Sequence, residues 1–227
     1  SEWKLPIMQE KVENPDAFRI YEATVKVLSS FPPEQVDALF YHSRSFGDDT
    51  GLFELAEELY TQNLINIIAL FGNEGERVGS SIPFESNPGK TFYTMRLKKL
   101  GIPENRIFYT GPAFHTREEN DAFLNLAIDR GWKSAVILAQ PHQIVRIMLG
   151  LVQAMQRKSY WMKVFTAHPK YTPWLEIVMG SQGLEEKMRF RHIEDECNRI
   201  FYYIEQGNIA TLEQLEDYLQ RRESGNL

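Results

Sequence analysis

A chain of 227 residues, 43% of them hydrophobic, is long enough to build one sizeable core with an appended element. Its 31 acidic residues outnumber 25 scattered basic ones, which excludes an electrostatic footprint for a nucleic-acid backbone, and no apolar run approaches the ~20 residues that span a bilayer. Cys197 stands alone, so an intrachain disulfide is excluded; with no signal-peptide pattern over residues 1–10, the expected setting is reducing and cytoplasmic.

Residues 15–30 read as a helix, with Asn14 as N-cap, Pro15 at the first helical position and apolar side chains at Phe18, Tyr21, Val25 and Leu28. Pro32 and Pro33 bar its continuation. Strand-like and helix-like segments then alternate: strand 36–41, helix 51–62, strand 64–71, helix 89–100, strand 106–110, helix 117–130, strand 135–140, helix 142–156 and strand 161–166. The alternation predicts a Rossmann-like α/β three-layer sandwich with a mainly parallel five-stranded sheet. Runs such as 67–71 and 135–139 are apolar at every position, as strands buried on both faces require.

Beyond His168 the pattern changes. Residues 169–183 form a connection containing proline and glycine, and 184–206 and 211–221 read as two helices. Met188, Ile193, Cys197, Ile200, Phe201 and Ile204 make a stripe on the first of these, so that helix is expected to dock on the sheet's edge or on a partner subunit. Division into a Rossmann-like unit over 1–180 and a helical extension over 181–227 follows, with self-association through the extension as one use for it. His192, set among charged residues, is expected to face water.

Right-handed crossovers place the carboxyl ends of all parallel strands on one edge, where open α/β sheets bind ligands. His42, His115, His142 and His168 each fall at or after such an end. With the common strand order 3-2-1-4-5, the switch point lies between the first and fourth strands, beside His42, Ser43, His142 and Arg146. Ser43 lacks the glycine-flanked elbow of a nucleophile and reads as a binding residue. Gly72 and Asn73 open a loop that fits neither a dinucleotide nor a triphosphate fingerprint but lets backbone N–H groups approach a ligand.

Thr116 and Glu119 have the spacing of a capping box, which accounts for both without any function. Asn120 is left over, and a helix N-terminus on this edge favours an anionic group. His142 and Arg146, four apart, are expected on one helical face, suited to a carboxylate or phosphate; the structural alternative pairs Arg146 with a neighbouring carboxylate on a solvated turn. The histidines show no metal-ligand spacing, and no metal is assigned.

The order of the glycine loop, Thr116, Glu119, Asn120 and the Pro141-His142…Arg146 element resembles the YdcF-like family, over roughly residues 36–155. The lead Leu100-Gly101-Ile102-Pro103 into the third strand is similar to that family's pattern, whereas the four-residue spacing of His142 and Arg146 and the Gly72-Asn73 pair depart from it. The resemblance implies a Rossmann-like sheet with a polar pocket, S-adenosylmethionine as the ligand of one soluble branch, and cell-envelope roles in anchored branches.

The expectation is therefore a transferase or hydrolase acting on a small, anionic, nucleotide-like molecule. His142, Arg146 and Glu119 would be catalytic, and His42, Ser43, Gly72, Asn73, Thr116, Asn120 and His168 would bind the ligand. The competing expectation is a binding or regulatory module without turnover, linked to cell-envelope metabolism.

Overall fold

The computed structural model describes residues 14–42, 49–74, 89–113, 115–180 and 185–227. Helix α1 (Pro15–Leu28) begins as its sequence dictates: the Asn14 side chain accepts hydrogen bonds from the backbone N–H groups of Asp16 and Ala17, and Pro15 needs no partner at the first position. Then come β1 (Val36–Tyr41), α2 (Leu52–Thr61), β2 (Ile65–Leu70), α3 (Lys90–Lys99), β3 (Ile107–Tyr109), α4 (Thr116–Arg130), β4 (Ser134–Leu138), α5 (Ile144–Lys158) and β5 (Lys163–Ala167). Among the described residues these strands form one five-stranded sheet in the order β3-β2-β1-β4-β5, and every pairing is parallel.

Period-two alternation divides the core. Ala38, Phe40, Ile67, Ala69 and Ile137 face the layer of α1, α4, α5 and the C-terminal helices, while Leu39, Tyr41, Ile68, Leu70 and Val136 face α2 and α3. Both faces are covered, which is why the strands read as nearly continuous apolar runs. The protein is thus a Rossmann-like three-layer α/β sandwich.

The C-terminal quarter departs from expectation. The segment read as the start of a helix at 184 holds β7 (Glu186–Met188), paired antiparallel with β6 (Ile177–Met179), and α6 (His192–Glu205) starts only afterwards. Three-residue strands are too short to imprint a period on a sequence. Of the expected apolar stripe only Ile200 is buried; Met188, Ile193 and Phe201 are exposed. The face of α6 that packs carries His192, Glu196 and Ile200. His192 is therefore buried, contrary to expectation, because its Nε2 meets the Val178 carbonyl at 3.0 Å. Hydrophobic periodicity cannot register polar residues that are buried because they are paired.

Helix α7 (Leu212–Ser224) opens with a capping box between Thr211 and Gln214 and sends Leu212, Leu215, Tyr218 and Leu219 into the same core as α1 and α5. It also closes the sheet's outer edge. The Tyr218 hydroxyl accepts the Val164 N–H at 2.8 Å and donates to the Met162 carbonyl at 2.6 Å, and Arg222 donates to the Val164 carbonyl at 2.7 Å. Edge groups of β5 that would template aggregation are thereby consumed. Burial pushes the Tyr218 phenol above its usual range, so it remains a donor. Tyr218→Phe strands the Val164 N–H and is expected to cost about 1–3 kcal/mol; an unchanged urea midpoint would show that the edge does not depend on this hydroxyl. Among the described residues no helix is long and apolar enough to cross a membrane.

Candidate functional site

Because every strand of the five-stranded sheet is parallel, the carboxyl ends of all five open on one edge, and β1 lies between β2 and β4. His42 directly follows β1, Gly72 and Asn73 follow β2, Thr110 follows β3, His142 follows β4 and His168 directly follows β5. The β1/β4 gap is the point where the chain's order reverses, the place such sheets reserve for a ligand. Ser43 lies outside the described residues.

His42 and Asn120 are brought together. His42 is 1% exposed, its ring lies 4.0 Å from that of Phe40, and its Nε2 meets the Asn120 Oδ1 at 2.9 Å. With that oxygen accepting, Nε2 carries the proton and Nδ1 is the ring's basic nitrogen. Asn120, equally buried, lies directly over Gly150 of α5: a methyl group there would stand 2.8 Å from the Asn120 Nδ2. Gly150, absent from the sequence reading, is what lets α4 bring its amide to the histidine.

The capping box expected of Thr116 and Glu119 does not form. His115 has the extended backbone of an N-cap and its Nδ1 accepts the Glu118 N–H at 3.3 Å, so Thr116 is the first helical residue. Glu119 sits a turn further in, 4% exposed, where its charge supports that of the Arg146 guanidinium.

Arg146 is not an open clamp, and it does not share a face with His142. The helix begins at Ile144, leaving His142 in the preceding turn with its ring edge-on to Trp174 at 5.6 Å. The Arg146 fork is filled by Glu196 of α6, Nε to Oε2 at 2.5 Å and Nη2 to Oε1 at 3.2 Å, and Arg199 adds a contact to Oε1 at 3.1 Å. Burial works against the Arg146 charge, but the carboxylate more than offsets it and holds the guanidinium above its ordinary range. The paired alternative was therefore right about a carboxylate and wrong about solvent: the pair is buried, and its partner comes from fifty residues away.

Gly72 and Asn73 serve the fold of the rim. A methyl group on Gly72 would lie 2.4 Å from the Thr110 carbonyl oxygen, and the Asn73 side chain accepts the Ala113 N–H at 2.7 Å while its backbone carbonyl accepts that of Lys90 at 2.8 Å. Together they tie the exits of β2 and β3 to the start of α3. His168 turns its Nδ1 to the Pro169 carbonyl at 3.1 Å.

Several rim residues escaped the sequence reading. Gln140, fully buried at the end of β4, donates to the Thr50 carbonyl at 2.9 Å. Arg189, 0% exposed, donates from Nη1 to the Pro173 carbonyl and to Glu176, both at 2.8 Å, and from Nη2 to the Thr50 hydroxyl at 3.3 Å. Asp49 lies beside them, its carboxyl pushed above the usual range by burial. Among the described residues no side chain caps the N-terminus of α5, and no acid lies in its first turn. Among the described residues no group of three or more histidine, cysteine or carboxylate side chains comes together to hold a metal ion.

No protein-family model matches the sequence, and no curated protein matches it. Among solved structures the chain is similar to the 54 kDa signal recognition particle protein of Aeropyrum pernix in complex with GDP, with 13% identity, a TM-score of 0.25, and coverage of 90% of this chain. The chain spans 55% of that structure's length.

Proposed function

We propose that the protein binds a small, anionic, nucleotide-like ligand at the β1/β4 switch point and acts on it by group transfer or hydrolysis. The observation that carries this reading is that, among the described residues, α5 starts after β4 with no side-chain cap and no acid in its first turn, on the same edge where His42, hydrogen-bonded to Asn120, follows the neighbouring β1. Backbone N–H groups at a helix start, together with the helix dipole, favour a phosphate or carboxylate. This assigns the anion to the start of α5 instead of to Arg146. His42 supplies a basic nitrogen at the switch point and His142 borders it. S-adenosylmethionine, the ligand implied by the YdcF-like resemblance, heads the candidates because it joins a carboxylate, the anionic group that the helix start would hold, to a nucleoside; its net charge is positive.

A second reading, binding without turnover, is favoured by one specific observation. Two of the three residues expected to be catalytic, Glu119 and Arg146, are buried in an internal charge cluster with Glu196.

The test is a thermal-shift panel of S-adenosylmethionine, its demethylated product, nucleotides, sugar phosphates and small carboxylates. A ligand at 100 times its dissociation constant adds about 2.7 kcal/mol when it binds only the folded state. At least one member is expected to raise Tm, and Asn120→Ala, by releasing His42, is expected to abolish the response. Product formation from the stabilising ligand separates the enzyme from the binding module. A panel with no effect on Tm would sink both readings.

A further inference from the structure

We infer that Trp174 is a stacking surface for a flat aromatic ring of the ligand, so that the switch-point site takes molecules carrying a nucleobase or comparable heterocycle. This rests on the proposed switch-point site and narrows what that site accepts.

Trp174 is set apart from the other described tryptophans. Trp132 and Trp161 pack with the core on the α4 and α5 side, whereas Trp174 belongs to neither core cluster and is half-buried. Its contact is with the rim itself, where its ring meets that of His142 at 5.6 Å and an interplanar angle of 62°. Tyr171, three residues earlier, is 79% exposed. A half-buried aromatic outside the core keeps part of its apolar area open to a ligand.

The ring is nonetheless held firmly. Its backbone is fixed on both sides: the Pro173 carbonyl accepts Arg189 Nη1 at 2.8 Å, and the Trp174 carbonyl accepts the Phe190 N–H at 3.1 Å. Arg189 is buried and donates to Glu176 and Thr50, and Thr50 in turn is held by Gln140 at the end of β4. The loop bearing Trp174 is thus tied, through Thr50 at the start of α2, to the exit of β4. A buried guanidinium is costly unless fully bonded, so its bonds give the loop one geometry. An aromatic surface ordered before the ligand arrives loses little entropy on binding, so stacking a base on it adds to affinity.

The test measures binding of adenosine 5′-monophosphate, uridine 5′-monophosphate, ribose 5-phosphate and inorganic phosphate by calorimetry to the full chain. It is repeated on Trp174→Phe and Trp174→Leu, each checked for an unchanged Tm. At least one nucleotide is expected to bind about tenfold or more tighter than ribose 5-phosphate, Trp174→Leu is expected to lose about that factor, and Trp174→Phe is expected to retain most of it. Should Trp174→Leu be destabilised, the emission difference between the parent and Trp174→Phe replaces it: nucleotide, and not ribose 5-phosphate, is expected to quench that component. Equal binding of nucleotide and ribose 5-phosphate, insensitive to Trp174 and abolished by Asn120→Ala, would overturn the ring inference while leaving the site. Absence of binding by all four probes, with no Tm response to the wider panel, would overturn the site and this inference with it.

Discussion

Arg146→Ala is expected to destabilise the protein by about 3–5 kcal/mol, because it leaves the Glu196 carboxylate buried without its bidentate partner. Glu119, also buried and close in charge to Arg146, worsens the deficit, and the Arg199 contact to Glu196 at 3.1 Å relieves only part of it. Urea denaturation of Arg146→Ala, Glu196→Leu and the double variant Arg146→Met/Glu196→Leu provides the measurement. The double variant is expected to recover most of the loss, since an apolar pair of similar volume replaces the ion pair without stranding a charge. A loss below about 1 kcal/mol in Arg146→Ala, with ligand binding abolished, would restore Arg146 to the binding role that its position suggested.

Gly72→Ala is expected to be the most damaging small substitution on the rim, at about 2–3 kcal/mol or more. The new methyl would stand 2.4 Å from the Thr110 carbonyl oxygen, a backbone atom that cannot swing aside as a flexible side chain does. Relief requires the exits of β2 and β3 to part, which pulls on the Asn73 contact to Ala113. Gly111, two residues along the same junction from Tyr109, has nothing within 4 Å of its added carbon, so Gly111→Ala is the matched control and is expected to change stability by under about 0.5 kcal/mol. Comparable melting temperatures for the two variants would refute the close approach.

The sequence by itself determined the sandwich. Largely apolar runs at 36–41, 64–71 and 135–140 lack strict alternation because both faces of the sheet are buried, and the intervening helical periods leave a parallel arrangement as the economical solution. It also determined which edge carries the candidate site, since parallel strands joined by helices send His42, Gly72, His142 and His168 to one side.

What each polar residue does on that edge was decided only in three dimensions. Asn120 finds His42 across 78 positions, Arg146 finds Glu196 across 50, and Arg189 finds Thr50 across 139. Such pairings leave no local period or spacing to read, since a buried charge is tolerated when its partner is present and excluded when it is not. The same physics misled the reading of α6. Its apolar residues Ile193 and Phe201 stay at the surface, while His192 and Glu196 are buried because Val178 and Arg146 satisfy them. Local propensity writes elements and their order into a sequence; the partner that makes a polar group cheap to bury is supplied by the assembled fold.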